Sequence, residues 1–289
     1  MAMGAADVVP GVSGGTIAFI SGIYEELIRS INAINFSLIP TWRKEGFPAF
    51  WKQANGGFLL SLLTGIAISI GSLAKFISWL LENQPVLLWS FFFGLVLASI
   101  FVVARAIERW NLGIITILLA GAALAWYITG LSPIENTSSL PFLFISGALA
   151  ICAMILPGIS GAFILVLLGS YKTVLDAVHQ RNLLLLATVA VGALFGLLSF
   201  ARLLKWMFNN YKNLTLSLLT GFILGSLNKI WPWKAVLEAR EYGEKLIVVR
   251  ETNVSPLAYK GDPQILLALL LAILGFSLIF VLEKLASKK

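Results

Sequence analysis

The 289-residue chain has one cysteine, one histidine and few charges: Lys+Arg 21 and Asp+Glu 14, or 12% of its residues. Each scarcity removes a class of function. With Cys152 alone, no intramolecular disulfide or thiol pair can form, and a cysteine metal cluster is excluded. With His179 alone, in a polar stretch read as a loop, no histidine-based phosphatase relay can be built. No Gly-rich loop ending in Lys-Ser/Thr is present, which excludes ATP-driven transport by this chain. A basic segment followed by an apolar core is also missing at the N-terminus, so no cleavable signal peptide is expected. No metal and no cofactor is expected.

What the chain does have is apolar surface. It is 58% hydrophobic with a mean hydropathy of +0.90, and charged residues fall to about half their usual share in a soluble domain. These values predict a polytopic membrane protein. The runs are rich in Leu, Ile, Gly and Phe and separated by short polar links, which fits spanning helices better than barrel strands. Nine Trp and six Tyr supply interfacial anchors. The net charge of +7 would point to nucleic acid in a soluble chain. Here the basic residues gather at the ends of apolar runs, so membrane lipids and topology explain them, and no nucleic-acid partner is expected.

One stretch recurs. Pro10-Gly11-Val12-Ser13-Gly14-Gly15-Thr16 returns as Pro157-Gly158-Ile159-Ser160-Gly161, each followed by an apolar run, a glycine and a tyrosine. Gly14, Gly22 and Tyr24 each lie 147 residues before Gly161, Gly169 and Tyr171. Further on, Gly65, Ser72, Lys75 and Trp79 lie 127 residues before Gly192, Ser199, Arg202 and Trp206, as Ser90, Gly94 and Ser99 do before Ser217, Gly221 and Ser226. The change of offset from 147 to 127 is accounted for by an extra polar-aromatic segment within 32–56, read as lying on the membrane surface. The chain therefore divides into halves 1–135 and 136–289. Spans are expected at about 57–81, 86–108, 112–131, 183–208, 214–231 and 264–283, with a polar loop at 232–263 containing a short hairpin around Leu246–Thr252.

Only nine residues precede Pro10, too few to cross a bilayer that needs about 20 helical residues. Each motif is then a re-entrant hairpin followed by three spans, and an odd number of crossings inverts the second half. The expected fold is all-α and polytopic, built from two inverted repeats. One face then carries twelve basic residues between Arg29 and Lys289 against five acidic ones, which places both termini in the cytoplasm.

Proline ends a half-helix and glycine permits a tight turn, so each motif exposes backbone N–H groups that hydrocarbon cannot satisfy. Such groups attract phosphate or carboxylate. Pro10, Gly11, Ser13, Gly14, Gly15 and Thr16 form one candidate tip, and Ser160 with Gly161 the other. Alternatively, each motif is a kink whose serine caps its own helix. Gly15-Thr16 is matched by Ala162-Phe163, so the first tip offers more polar contacts. Lys75, Arg202 and Arg105 either neutralise a phosphate or snorkel to the interface, arginine being the better fork for phosphate. Asp7 is either an ion-coupling carboxylate or an interfacial one, and Glu25 is either a coupling group or a solvated helix end.

The segment GAADVVPGVSGGTIAFISGIYEELI resembles the N-terminal signature of the membrane family known as domain of unknown function 368, and PGISGAFILVLLGSY fits the same family. The resemblance covers essentially the whole chain. It implies a polyprenyl-phosphate transporter (PopT) of a bacterial or archaeal cytoplasmic membrane, returning undecaprenyl phosphate to the inner leaflet for cell-envelope synthesis. Protons or sodium are the expected coupling ions; the oligomeric state is left open. Two alternatives stand beside it: a transporter or channel for a small soluble anion, and a membrane enzyme acting on a lipid phosphate. The enzyme needs a nucleophile–base pair, which the sequence does not supply.

Overall fold

A run of apolar residues becomes a helix where its ends are satisfied. The computed structural model describes residues 1–8, 12–134, 139–242 and 245–286. Pro10 and Gly11 of the first motif, and Glu135 at the expected boundary between halves, lie outside the described residues.

The first half opens with α1 (Ala2–Val8), α2 (Gly14–Ile20) and α3 (Tyr24–Ala33). Helix α4 (Leu38–Gln53) follows over the expected interfacial segment, bent at Gly46 and leaving Trp42, Phe47 and Trp51 exposed. Then come α5 (Gly56–Asn83), α6 (Pro85–Arg105) and α7 (Leu112–Gly130). Pro85 opens α6, where its missing N–H costs nothing, and Asn111 caps α7 by accepting from the Ile114 N–H at 2.9 Å.

The second half repeats this order with α8 (Leu140–Ile155), α9 (Gly161–Leu167) and α10 (Tyr171–His179). Next is α11 (Leu183–Ser226), a 44-residue element broken at Tyr211, and after a hairpin the chain ends on α12 (Ile265–Ala286). Among the described residues, four helices are long and apolar enough to cross a membrane: α5, α6, α7 and α11. The expected spans fall on these helices and on α12, with the Tyr211 break dividing the two spans carried by α11.

The duplicated spacing is written into the backbone. Gly22 (φ 71°) and Gly169 (φ 65°) each end a seven-residue helix with a left-handed turn, after which a new helix begins on a tyrosine. A side chain would strain either turn, so both positions require glycine. The second of these turns bends α9 against α10 by 105°. Gln84 (φ −138°, ψ 50°) and Tyr211 (φ −139°, ψ 47°), 127 residues apart, break their helices in the same way.

Packing follows the same scheme. In the first half α1 lies on α5, and in the second α8 lies on α11. Across the halves, α6 packs on α12 while the second part of α11 packs on α7. Glycine makes these crossings close: a Cβ on Gly94 would strike the Ala272 carbonyl and one on Gly275 the Phe91 carbonyl, while Gly221 and Gly121 stand in the same relation to Leu118 and Leu218. Lipid tails are as apolar as leucine, so helices here associate through close backbone approach rather than through hydrophobic exclusion of water.

The polar loop is more ordered than its composition suggests. Strands β1 (Lys234–Tyr242) and β2 (Lys245–Asn253) pair antiparallel, with Lys234 opposite Asn253. The hairpin starts well before the expected Leu246–Thr252, because Trp indoles fix its base. Trp231 donates to the Val254 carbonyl and Trp233 to the Pro263 carbonyl, both at 2.9 Å.

Gly94→Ala is expected to lower thermal stability in detergent, since overpacking a close crossing costs about 1–3 kcal/mol. Gly71→Ala, where an added Cβ meets nothing within 4 Å, should leave the melting temperature unchanged or slightly raised.

Candidate functional site

A chain break inside an apolar protein leaves polar backbone groups that need partners, and the two motifs supply each other's. Ser13 stands at the N-cap of α2 and accepts from the Gly15 N–H at 3.0 Å. Its hydroxyl donates across to the Met154 carbonyl at 2.9 Å, with the Leu156 carbonyl at 3.1 Å as a second acceptor. In return, the Gly158 N–H of the second motif donates to Thr16 Oγ1 at 2.9 Å. Ser13 and Thr16 are both buried. Backbone groups at the end of α8 and in its turn thereby find partners in the other half.

Gly15 permits this approach, because a Cβ there would strike the Ile155 carbonyl. Its counterpart Ala162 is exposed, so the second tip does not press on the first in the same way. Asp7 completes the first tip: Oδ1 accepts from the Gly14 N–H at 2.7 Å, and Oδ2 is buried with no hydrogen-bond partner. Ser160 holds the N-cap position of α9 without a side-chain cap bond, and Gly161 packs with the Ala150 carbonyl 2.7 Å from where its Cβ would be.

The structure thus brings Ser13, Gly14, Gly15, Thr16 and Asp7 together with the residues flanking Gly158. It leaves the three candidate cations elsewhere. Lys75 on α5 and Arg202 on α11 are exposed. Arg105, also exposed, reaches Glu283 at 3.9 Å and lies 5.4 Å over the Phe280 ring. Among the described residues, neither tip is hydrogen-bonded or ion-paired to any of the three. Glu25 is exposed at the start of α3. Its neighbour Glu26 accepts from Asn55 at 3.1 Å and, with Arg29 and Ser30, lines a cavity of about 330 Å³.

A second polar cluster escaped the sequence. Phe163 takes the place of Thr16 in the second motif, and the Lys229 ammonium lies 5.0 Å from its ring centroid. Glu251 Oε1 accepts from Lys229 at 2.9 Å and from Lys234 at 2.8 Å, and Lys234 sits 4.2 Å over the Trp89 ring. Burial lowers the Lys234 ammonium to about 8, against the pull of Glu251. For Glu251, burial pushes upward, but Lys234 and Lys229 outweigh it and hold the carboxyl below its usual range. Phe163, Lys229 and Glu251 line a cavity of about 300 Å³. Lys229 and Glu251 are 22 residues apart and share no repeat partner of like charge, so spacing gave no signal. The one clue was Lys229 and Lys234 on either side of Trp231 and Trp233, just past an apolar run.

A family model described as "VCA0040-like: Undecaprenyl phosphate translocase-like" matches residues 3–246, which includes both motifs. The chain belongs to this undecaprenyl phosphate translocase-like family. Among its relatives is the polyprenyl-phosphate transporter of Vibrio cholerae serotype O1, 48% identical over 294 residues that cover 100% of this chain and 95% of the relative. The polyprenyl-phosphate transporter of Staphylococcus aureus is 32% identical over 250 residues, 80% of this chain and 83% of that one. No solved structure matches. Family membership agrees with the resemblance carried by the two motifs, and both relatives are named as transporters rather than enzymes.

Thr16→Val keeps the shape of the tip but leaves the Gly158 N–H unpaired. It should cost about 1–3 kcal/mol in unfolding stability, with Thr16→Ser restoring most of it. Thermal unfolding of the two purified variants checks this.

Proposed function

We propose that the protein moves a polyprenyl phosphate, undecaprenyl phosphate above all, from the outer to the inner leaflet of the cytoplasmic membrane for reuse of the carrier lipid. The observation that carries this reading is the cross-bonded pair of tips, one from each half. Family membership and two relatives named as polyprenyl-phosphate transporters support the substrate class.

In this reading the halves are inverted repeats with re-entrant hairpins, both termini are cytoplasmic, and the tips meet near mid-depth. The reciprocal packing of α6 on α12 and of α11 on α7 supports a two-fold relation between them. The bonds between the tips are few and exchangeable. A phosphate entering between them accepts from the Ser13 hydroxyl and the Gly158 N–H in place of the Met154 and Leu156 carbonyls and Thr16 Oγ1. Gly14, Gly15, Ser160 and Gly161 stand beside it, with the Gly14 and Gly15 N–H groups held by Asp7 and Ser13 until the anion arrives. Arg202, Lys75 or Arg105 meets the headgroup as it enters or leaves. Asp7, with one carboxylate oxygen already unpartnered, or Glu25 couples the movement to protons or sodium. The isoprenoid tail stays in lipid throughout.

The test is movement of undecaprenyl phosphate between leaflets of liposomes holding the purified protein, with and without an ion gradient. Ser13→Ala combined with Ser160→Ala should slow it about tenfold or more, the loss of one to two hydrogen bonds to a charged group. Arg202→Ala should also slow it. Wild-type rates in both variants would overturn the assignment of the site, and a rate in wild-type liposomes no greater than in empty ones would overturn the function.

A further inference from the structure

We propose that the cavity between α9, the end of α11 and the β-hairpin is a docking site for a phosphate monoester, in which Lys229 is the cation that binds it. The inference rests on the transport reading for its biological source, but on local geometry for its chemistry.

Lys229 and Lys234 both bond the same oxygen of Glu251, at 2.9 and 2.8 Å. Among the described residues, two cations on one carboxylate leave one positive charge in excess, partly shielded from water. The two lysines are not equivalent. The Lys234 side chain is 8% exposed and held over Trp89, while that of Lys229 is 21% exposed and lines the cavity. An arriving anion therefore meets Lys229. When Lys229 turns to it, Lys234 still neutralises Glu251, so no buried charge is stranded. A single Lys–Glu pair lacks that property, because releasing its lysine strands the acid.

The walls favour an oxyanion carrying a hydrocarbon chain. Asn228, Thr252 and Asn253 put amide and hydroxyl groups around the space, suited to the several acceptor oxygens of a phosphate. On the same lining, Leu131 and Leu237 are 39% and 57% exposed, apolar surface that a free inorganic ion cannot use. The volume of about 300 Å³ holds a headgroup and the start of a chain rather than a long tail.

Position links the cavity to the tips. Phe163 lies three residues beyond Ser160, on the helix that the second tip begins. A Cβ on Gly158 would be 2.7 Å from Ser226 Oγ, and Ser226 lies three residues before Lys229. The cavity is thus about one helical turn from the tip contact along both elements. This also accounts for the departure between the motifs: Thr16 bonds the opposite tip, whereas Phe163 turns to the lysine.

Titrate full-length protein in lipid nanodiscs with farnesyl monophosphate and, separately, with inorganic phosphate, reading affinity by calorimetry. Lys229→Ala should weaken farnesyl monophosphate about tenfold or more, as loss of a charge-assisted contact does. Lys229→Arg should retain it. Glu251→Gln removes the competing carboxylate and should tighten binding several-fold, a gain that mere structural damage cannot give; Glu251→Met, which also lacks the carboxylate, serves if the glutamine variant fails to fold. Unchanged affinity in Lys229→Ala, or weakened affinity in a folded Glu251→Gln protein, would overturn the site. Weaker inorganic phosphate supports a lipid-borne headgroup, whereas equal affinity for both supports a phosphate site filled from solution. Binding is read without transport: a protein that binds but moves no lipid overturns the transport reading and leaves the cavity assignment standing.

Discussion

The structure depends on one constraint: a backbone broken inside an apolar protein must find partners for its exposed N–H and C=O groups. Each motif breaks a helix where water is scarce. The solution is mutual. Ser13 takes up carbonyls left by the end of α8, and Thr16 accepts the N–H of Gly158. Because the partners lie in opposite halves of the chain, the bonds that satisfy the break also join the halves.

That joint is narrow, whereas the helix crossings around it are extensive. Gly94 with Gly275, and Gly121 with Gly221, let backbones meet at distances where any side chain would clash. Close crossings resist sliding, since both surfaces are backbone and neither can yield by a rotamer change. The contact between the tips, by contrast, is made by a few side-chain hydrogen bonds. Asp7 adds to this, with one oxygen bonded to Gly14 and the other buried without a partner.

The halves are alike in backbone and unlike in chemistry. Thr16 and Phe163 occupy matched positions on matched seven-residue helices. The threonine bonds inward to the other tip, and the phenylalanine faces Lys229 beside the hairpin. The extra segments differ as well: the first half carries α4, the second the hairpin stapled by Trp231 and Trp233. The helix order is shared, and the differences lie in Thr16 against Phe163 and in α4 against the hairpin.

Much of this was legible in the sequence, because hydropathy and spacing are local or periodic signals. The helices over 57–81, 86–108 and 112–131 follow from apolar runs with polar ends. The turns at Gly22 and Gly169 follow from glycine at a matched offset. Family membership rode on the first motif. What the sequence could not place were contacts between residues far apart with no repeat relation. That Ser13 and Thr16 bond the opposite tip, that Lys75, Arg105 and Arg202 stand apart from the tips, and that Lys229, Lys234 and Glu251 share one buried oxygen are all set by packing. Side-chain type says which group can donate or carry charge. Only the tertiary structure decides what lies within 3 Å of it, because hydrogen bonds and ion pairs act over that distance and the chain between the partners carries no trace of it.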